Sequence, residues 1–281
     1  MIVVSSSEEL RRMLAPMRGI KRIALVPTMG CLHEGHSSLI RKARELADVA
    51  IVSIYVNPLQ FGANEDLDAY PRTFMEDNAA CEVEGVDIIF NPDNLYHEGG
   101  PKVALKVEEL ADCLCGSSRP GHFDGVATVV NILFNIVQPD VAVFGEKDWQ
   151  QLIILQRMVS DLSMDVDVVS CPTVREANGL AMSSRNRYLT DEERLQSSEL
   201  ASALQVVREA VDSGSRQVEV LLAKARSELA AHGIEPEYLD IREAMTLKPV
   251  DKIESAPVRA FIAARIGKAR LIDNISLEVH A

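Results

Sequence analysis

The sequence predicts an α/β protein: a Rossmann-like, doubly wound parallel sheet followed by a smaller C-terminal α+β domain. Three observations carry this. β-Branched runs alternate with helix-spaced segments through the first half of the chain, the βαβα order of a parallel sheet. The strand runs are almost continuously apolar, as in strands covered on both faces. Beyond Val174 the texture changes to polar helices and short strands. The length of 281 residues fits two domains at roughly 150 residues each, expected at residues 1–173 and 174–281.

The elements follow in order. Arg22-Ile-Ala-Leu-Val26 is a strand that ends at Pro27-Thr-Met-Gly30. Residues 35–47 have helical spacing, with Leu39, Ile40, Ala43, Leu46 and Ala47 as the apolar set. Val49 to Val56 is a strand closed by Asn57-Pro58. Asp68 to Glu84 reads as a helix and Val86 to Phe90 as a strand. Asp124 to Val137 is a helix, Val141 to Phe144 a strand, Asp148 to Asp161 a helix and Val166 to Val169 a strand. In the second domain, Thr190-Asp-Glu-Glu193 has the form of a capping box and opens a helix to about Ser213. Another helix covers Val218 to Ala231. Short strands are expected at Tyr238 to Ile241, Arg259 to Ile266 and Arg270 to Ile275.

Composition narrows the function classes. The chain is 47% hydrophobic and 25% charged, the globular average, which argues against disorder. Twenty-nine basic and 42 acidic residues give a net charge of −13. That balance argues against nucleic acid, which needs a basic footprint, as a partner, and an acidic membrane surface would repel the chain. An anionic small molecule is still allowed, because a pocket needs only local positive groups. Five cysteines without a Cys-x-x-Cys pair read as scattered thiols in a reducing compartment. The N-terminus lacks a signal-peptide pattern, and Val126 to Val137 is too short and polar to span a bilayer. A cytoplasmic location is expected.

Pro27-Thr-Met-Gly-Cys-Leu-His33-Glu-Gly35-His36 is the most informative stretch. It joins the first of these strands to its helix, where α/β sheets bind ligands. A helix start offers unpaired N–H groups and a positive dipole end that favour phosphate. Gly30 and Gly35 allow close approach of the backbone. His33 and His36 are three apart and face the same way on a first helical turn, so both imidazoles could donate to phosphate oxygens. Neither a Walker A loop nor Gly-x-Gly-x-x-Gly is present. A His-x-x-His pair also occurs in metal sites, but no third ligand stands at useful spacing, and no protein-held metal is expected. A single histidine at a helix start is more often a cap; two between glycines after a strand favour function.

This arrangement resembles the His-x-Gly-His signature of the nucleotidyl-transferring and adenylate-forming α/β superfamily. The match narrows with Tyr55-Val-Asn-Pro-Leu-Gln-Phe-Gly62, Arg119-Pro-Gly-His-Phe-Asp-Gly-Val-Ala-Thr128, Phe144-Gly-Glu-Lys-Asp-Trp-Gln-Gln151 and Met182-Ser-Ser-Arg-Asn186. In that order, and with Ala269-Arg-Leu-Ile-Asp-Asn274 near the C-terminus, these blocks resemble the pantothenate synthetases, or pantoate–β-alanine ligases. The second domain matches more loosely. Cys31 and Trp149 stand where the family often has alanine and phenylalanine; neither departure bears on the activity.

The resemblance implies ATP-dependent condensation of (R)-pantoate with β-alanine to pantothenate, AMP and pyrophosphate through a pantoyl adenylate. It implies ATP contacts from Met29, Gly30, Cys31, Leu32, His33, Glu34, Gly35 and His36, with His36 in the role usually assigned as proton donor. Electrostatic stabilisation is favoured here over full proton transfer. Gly145, Glu146, Lys147 and Asp148 are implied on the phosphate and ribose side, and Val174 at adenine. Met182 is implied as an ATP contact, and Ser183, Ser184 and Arg185, also implied at ATP, take the place of the mobile Lys-Met-Ser-Lys-Ser loop of related synthetases, with hydroxyls and a guanidinium suited to phosphates. The catalytic set is His33, His36, Lys147 and Arg185. Gln60 and Gln151 are implied as pantoate ligands, since a neutral amide both donates and accepts, and Gln60 also at β-alanine. Asn57, Arg119 and His122 are weaker candidates for shaping the pocket. Taken alone, Lys147-Asp148 would read as a solvated pair, and Gln60 and Ser183 to Arg185 as ordinary loop residues.

Mg²⁺ is expected with ATP, held largely by phosphates and water; Glu76 and Asp77 are acidic candidates, or else a solvated helix face. The loop from Gln60 to Tyr70 and the second domain are expected to close over the adenylate and exclude water. A homodimer is expected from the family, with the apolar runs at Val49 to Val56 or Val126 to Val137 as contact segments. The alternatives are a small nucleotidyltransferase that keeps AMP on its product, and a nucleotide-sensing or metal-binding module without catalysis.

Overall fold

The apolar runs of the first half assemble into one sheet. The computed structural model describes residues 1–63, 65–254 and 256–278. The elements are β1 (Ile2–Val4), α1 (Ser7–Leu14), β2 (Ile23–Thr28), α2 (Glu34–Leu46), β3 (Val49–Ile54), α3 (Phe74–Val83), β4 (Ile88–Phe90), α4 (Leu114–Ser118), α5 (His122–Val137), β5 (Val141–Gly145), α6 (Trp149–Asp161), β6 (Asp167–Cys171), α7 (Asp191–Asp212), α8 (Val218–Ala231), β7 (Pro236–Glu243), β8 (Val258–Ile266) and β9 (Ala269–Leu277). They divide between two compact units: Met1–Asp112, Gly116–Glu146 and Ile154–Pro172 in the first; Cys113–Cys115, Lys147–Ile153 and Thr173–Ala281 in the second.

The first unit holds six strands in the order β1-β4-β3-β2-β5-β6, and every pairing is parallel. β3 is buried along its whole length and runs beside β2 from Ile23↔Val49 to Thr28↔Ile54. From β2 the chain winds outward through β3 and β4, then returns to place β5 and β6 on the other side of β2. The switch point therefore lies between β2 and β5, where such sheets bind ligands beyond their carboxyl ends. Helix α2 buries Leu39, Ile40 and Ala43, and these join Val26, Val52, Ile89 and Val143 in one core. At the spacing of i, i+1 and i+4 they form the apolar stripe expected of a surface helix.

The second unit carries a three-stranded antiparallel sheet, β7-β8-β9. The α7 capping box forms as expected: the Glu193 N–H donates to Thr190 Oγ1 at 3.2 Å, and the Thr190 N–H to Glu193 Oε2 at 2.8 Å. Leu204 and Val207 of α7, Leu221 and Leu229 of α8, and Ile241 and Ile262 of the sheet share its core.

Several expectations are corrected. Helix α3 begins at Phe74 rather than Asp68, because Pro71 intervenes and disfavours helix in the residue before it. Strand β1 and helices α1 and α4 were not expected. The two apolar runs expected to serve a dimer contact are internal: β3 lies between β2 and β4, and α5 buries eleven of its residues. No helix among the described residues is long and apolar enough to cross a membrane.

Candidate active site

The loop after β2 is shaped by a carboxylate from another element. Asp77 of α3 is 2% exposed. Its Oδ1 accepts the Leu32 N–H at 2.7 Å, and its Oδ2 accepts the Cys31 N–H at 3.0 Å and the Thr73 hydroxyl at 3.3 Å. The loop turns through left-handed conformations at Gly30 (φ 78°) and Cys31 (φ 54°). A Cβ at residue 30 would stand 2.9 Å from Asp77 Oδ2, so glycine is required there on two counts. Thr28 closes the turn, accepting the Gly30 N–H at 3.1 Å and donating to the Ser53 carbonyl of β3 at 2.8 Å.

His33 and His36 start helix α2 as a reciprocal cap. Nδ1 of His33 accepts the Gly35 N–H at 3.1 Å, and Nδ1 of His36 accepts the His33 N–H at 3.2 Å. The ring centroids are 4.1 Å apart. A nitrogen that accepts an N–H bond carries no proton, so both rings are Nε2–H tautomers. The pair caps rather than chelates. The Glu34 carboxylate is taken by Arg41 at 2.7 and 3.2 Å, and the resulting hydrogen bond holds it below the ordinary glutamate range. A ligand at residue 34 would thus meet backbone.

Gln60 ends a short 3-10 turn, Pro58–Gln60, after β3. Its amide donates to Met29 Sδ at 3.0 Å and accepts from Asn57 Nδ2 at 3.1 Å, which ties the loop after β3 to the loop after β2. Asn57 is buried and also bonds the Gly125 carbonyl, the Leu59 N–H and the Tyr96 hydroxyl. Burial, as the first cause, pushes the Tyr96 hydroxyl well above its ordinary value, so Tyr96 serves as a donor. Gly125 of α5 lies so close to this turn that a Cβ would stand 2.4 Å from the Leu59 carbonyl. Gly145 and Glu146 follow β5, with Glu146 Oε1 accepting from Ser170 Oγ at 3.2 Å.

The remaining candidates belong to the second unit. Lys147 is half-buried, and its ammonium lies 3.9 Å from the Asp148 carboxylate. Its carbonyl accepts from Asn274 Nδ2 at 2.9 Å; Asn274 in turn accepts from Arg259 Nε at 2.8 Å, and that guanidinium stacks 3.6 Å over the Trp149 ring. Gln151 stands in the first turn of α6. The Met182 N–H donates to the Val174 carbonyl at 2.9 Å, bringing those two candidates together. Ser183 caps the Ser184–Tyr188 turn through the Arg185 N–H at 3.3 Å. Within the first unit the structure thus joins Met29 to His36 with Gln60; within the second it joins Val174 with Met182 to Arg185.

Residues 2–276 match the family model described as pantoate-beta-alanine ligase. The chain belongs to the pantoate–β-alanine ligase family. It is 47% identical to a pantothenate synthetase of Pseudomonas putida (strain W619), over 98% of this chain and 97% of that one. A crystal structure of pantothenate synthetase from Thermus thermophilus superposes with a TM-score of 0.93 at 44% identity, covering 98% of this chain and 99% of that one. A pantoate-beta-alanine ligase from Francisella tularensis, described as complexed with beta-gamma ATP and beta-alanine, gives a TM-score of 0.82 at 34% identity, covering 98% and 97%. This chain is therefore a ligase with the α/β architecture of its family. Sequence reasoning missed the shaping roles of Asp77, Tyr96, Asn274 and Arg259 in this ligase, all set by partners distant in sequence.

Proposed function

We propose that this ligase condenses (R)-pantoate with β-alanine at the expense of ATP, giving pantothenate, AMP and pyrophosphate. A pantoate carboxylate oxygen attacks the α-phosphorus, and the bond to the bridging oxygen of pyrophosphate breaks. The β-alanine amine then attacks the acyl carbon of the pantoyl adenylate, and AMP leaves. The observation that carries this reading is the His33–His36 cap at the switch point, with the Gln60 amide fastened to Met29 beside it. Two imidazoles with their protons on Nε2 are hydrogen-bond donors suited to phosphate oxygens and to charge that develops during adenylation.

Lys147 and Arg185 supply the fixed positive charge in this reading, and Ser183 and Ser184 the hydroxyl donors. Gln60 and Gln151 bind pantoate, and Gln60 also borders β-alanine. Met29 to Leu32, Gly35, Gly145, Glu146, Asp148, Val174 and Met182 complete the nucleotide contacts. The Asp77 oxygens already accept three hydrogen bonds, and imidazole or ammonium groups do not suit Mg²⁺, which prefers oxygen donors. The residues around the loop do not fit a dedicated magnesium cage; the ion is assigned to the nucleotide phosphates and water. A homodimer in the cytoplasm, with no nucleic-acid or membrane partner, belongs to the same proposal.

Pyrophosphate release from ATP and pantoate, followed by AMP release on adding β-alanine, tests the reading. Pantoate that triggers no pyrophosphate would sink it, and AMP retained on a product would indicate a nucleotidyltransferase. His36→Ala is expected to slow the first step by about ten- to a thousandfold.

A further inference from the structure

Gln60 is braced through its backbone as well as its side chain. Its carbonyl oxygen lies 2.8 Å from Nδ1 of His122 and accepts from Nη2 of Arg119 at 3.3 Å. A carbonyl only accepts, so Nδ1 of His122 carries a proton. Nε2 of the same ring lies 2.9 Å from Nη1 of Arg119. A guanidinium only donates, so Nε2 is the acceptor. His122 is therefore a neutral Nδ1–H tautomer, opposite to His33 and His36. Arg119 also grips Glu65, five residues beyond Gln60, through a bidentate pair at 2.7 and 2.6 Å. Both partners of that pair are more than two thirds buried, where such a contact is screened less than on an open surface.

We propose that His122 and Arg119 are positioning residues for the acid substrate. They fix the Gln60 carbonyl, which sets the peptide plane and with it the direction of the Gln60 amide. The Arg119–Glu65 pair holds the chain beyond Gln60 against the same support. The inference rests on the assignment of Gln60 to pantoate. A ligand amide turned out of line by a fraction of an ångström loses orientation rather than fold, so the effect falls on pantoate and not on ATP.

Two substitutions separate positioning from general support. His122→Asn keeps an N–H donor at the place of Nδ1; His122→Gln keeps only an amide at the place of Nε2. We expect His122→Gln to raise the KM for pantoate on the order of tenfold, with the KM for ATP within about twofold of the parent, and His122→Asn to restore most of the difference. An unchanged pantoate KM, or equal rises for pantoate and ATP, overturns the proposal. Gln60→Leu tests the underlying assignment. If it leaves the pantoate KM unchanged, that assignment fails and the proposal with it; if it raises KM while His122→Gln does not, the positioning alone fails. The double variant is expected to be no worse than Gln60→Leu, and an additive rise counts against a shared route. Should His122→Gln not fold, Arg119→Lys takes its place, because one ammonium cannot bridge His122, Gln60 and Glu65. The same pantoate-selective rise is expected, and its absence overturns the proposal.

Discussion

The Asp77 carboxylate, buried at the first turns of α3, accepts the backbone N–H of Leu32 at 2.7 Å. Its other oxygen holds the Cys31 N–H, so one side chain fixes two consecutive peptides of the loop after β2. Asp77→Ala removes the Asp77 acceptor from both buried N–H groups, at about 1–3 kcal/mol each. The expected loss is about 2–6 kcal/mol in urea unfolding, with a weaker ATP KM in whatever remains folded. Asp77→Asn, which keeps one acceptor oxygen, should fall between. An alanine variant as stable as the parent would show that the loop holds itself.

Gly125→Ala sets two effects against each other. Alanine improves helix propensity by about 1 kcal/mol, but its Cβ would stand 2.4 Å from the Leu59 carbonyl and 2.7 Å from the Gln60 nitrogen. Backbone atoms cannot step aside cheaply, and overpacking of this kind costs about 1–3 kcal/mol or more. Net destabilisation with a raised pantoate KM is expected; a rise in melting temperature would contradict the close approach.

Glu65 gives the loop after Gln60 a pH dependence. Burial pushes its carboxyl upward, but the hydrogen bonds and charge of Arg119 outweigh this and hold it below the ordinary value of 4.5. The stabilisation is fully present above about pH 4.5 and is lost as pH falls through the lower folded value. Pepsin should therefore cut residues 61–70 faster as the pH drops below about 4.5, and Glu65→Gln should remove that dependence. Protection of Asp66 to Asp68 by ATP plus pantoate tests closure of the same loop; Asn64, part of the segment expected to close, lies outside the described residues. Cutting unaffected by the substrates would count against closure.

The five cysteines are all reduced, and four are buried. Burial and, after it, the charges of Asp77 and Glu84 push the Cys81 thiol up to about 12. A thiol reagent at pH 8 should label Cys113 first in the native protein and all five residues after unfolding. Rapid native labelling of Cys81 would argue against its buried place on α3.

Asn274→Ala tests the support beneath Lys147. The substitution removes the bond to the Lys147 carbonyl and the bond from Arg259 Nε to Asn274 Oδ1. Slower pyrophosphate release is expected, by about tenfold or more, with little change in pantoate KM. An unaltered rate would remove this support from the reaction.

Much of this was legible in the sequence because its signals are local. The β2–α2 unit declared itself through a β-branched run, glycines and a helical stripe; Thr190 and Glu193 announced their capping box three residues apart. The start of α3 at Phe74 is less legible, because the polar run from Asp68 continues the helical pattern until Pro71 breaks it. The short β1 has only Ile2, Val3 and Val4 to mark it, while α1 carried readable signs in the Ser6 cap and the Leu10–Leu14 spacing. Helix α4 opens on Leu114 at φ 50°, which no residue type there advertises. The site residues with motif neighbours could be nominated, but their supports could not. Asp77 meets Leu32 across 45 positions, His122 meets Gln60 across 62 and Asn274 meets Lys147 across 127. Only the folded chain makes such partners adjacent.

The histidine cap of α2 has a consequence for the division of labour in this enzyme. Because the main chain occupies Nδ1 of both rings, the helix itself chooses which nitrogen keeps its hydrogen, and buffer composition does not. The two rings then offer direction without charge. On the proposed reading, neutral donors would recognise the shape of a phosphate but add little long-range pull on it, so in an acidic chain of net charge −13 the attraction for a nucleotide beyond that of the helix dipole would come from lysine and arginine elsewhere. In that role the loop would sort what arrives rather than summon it.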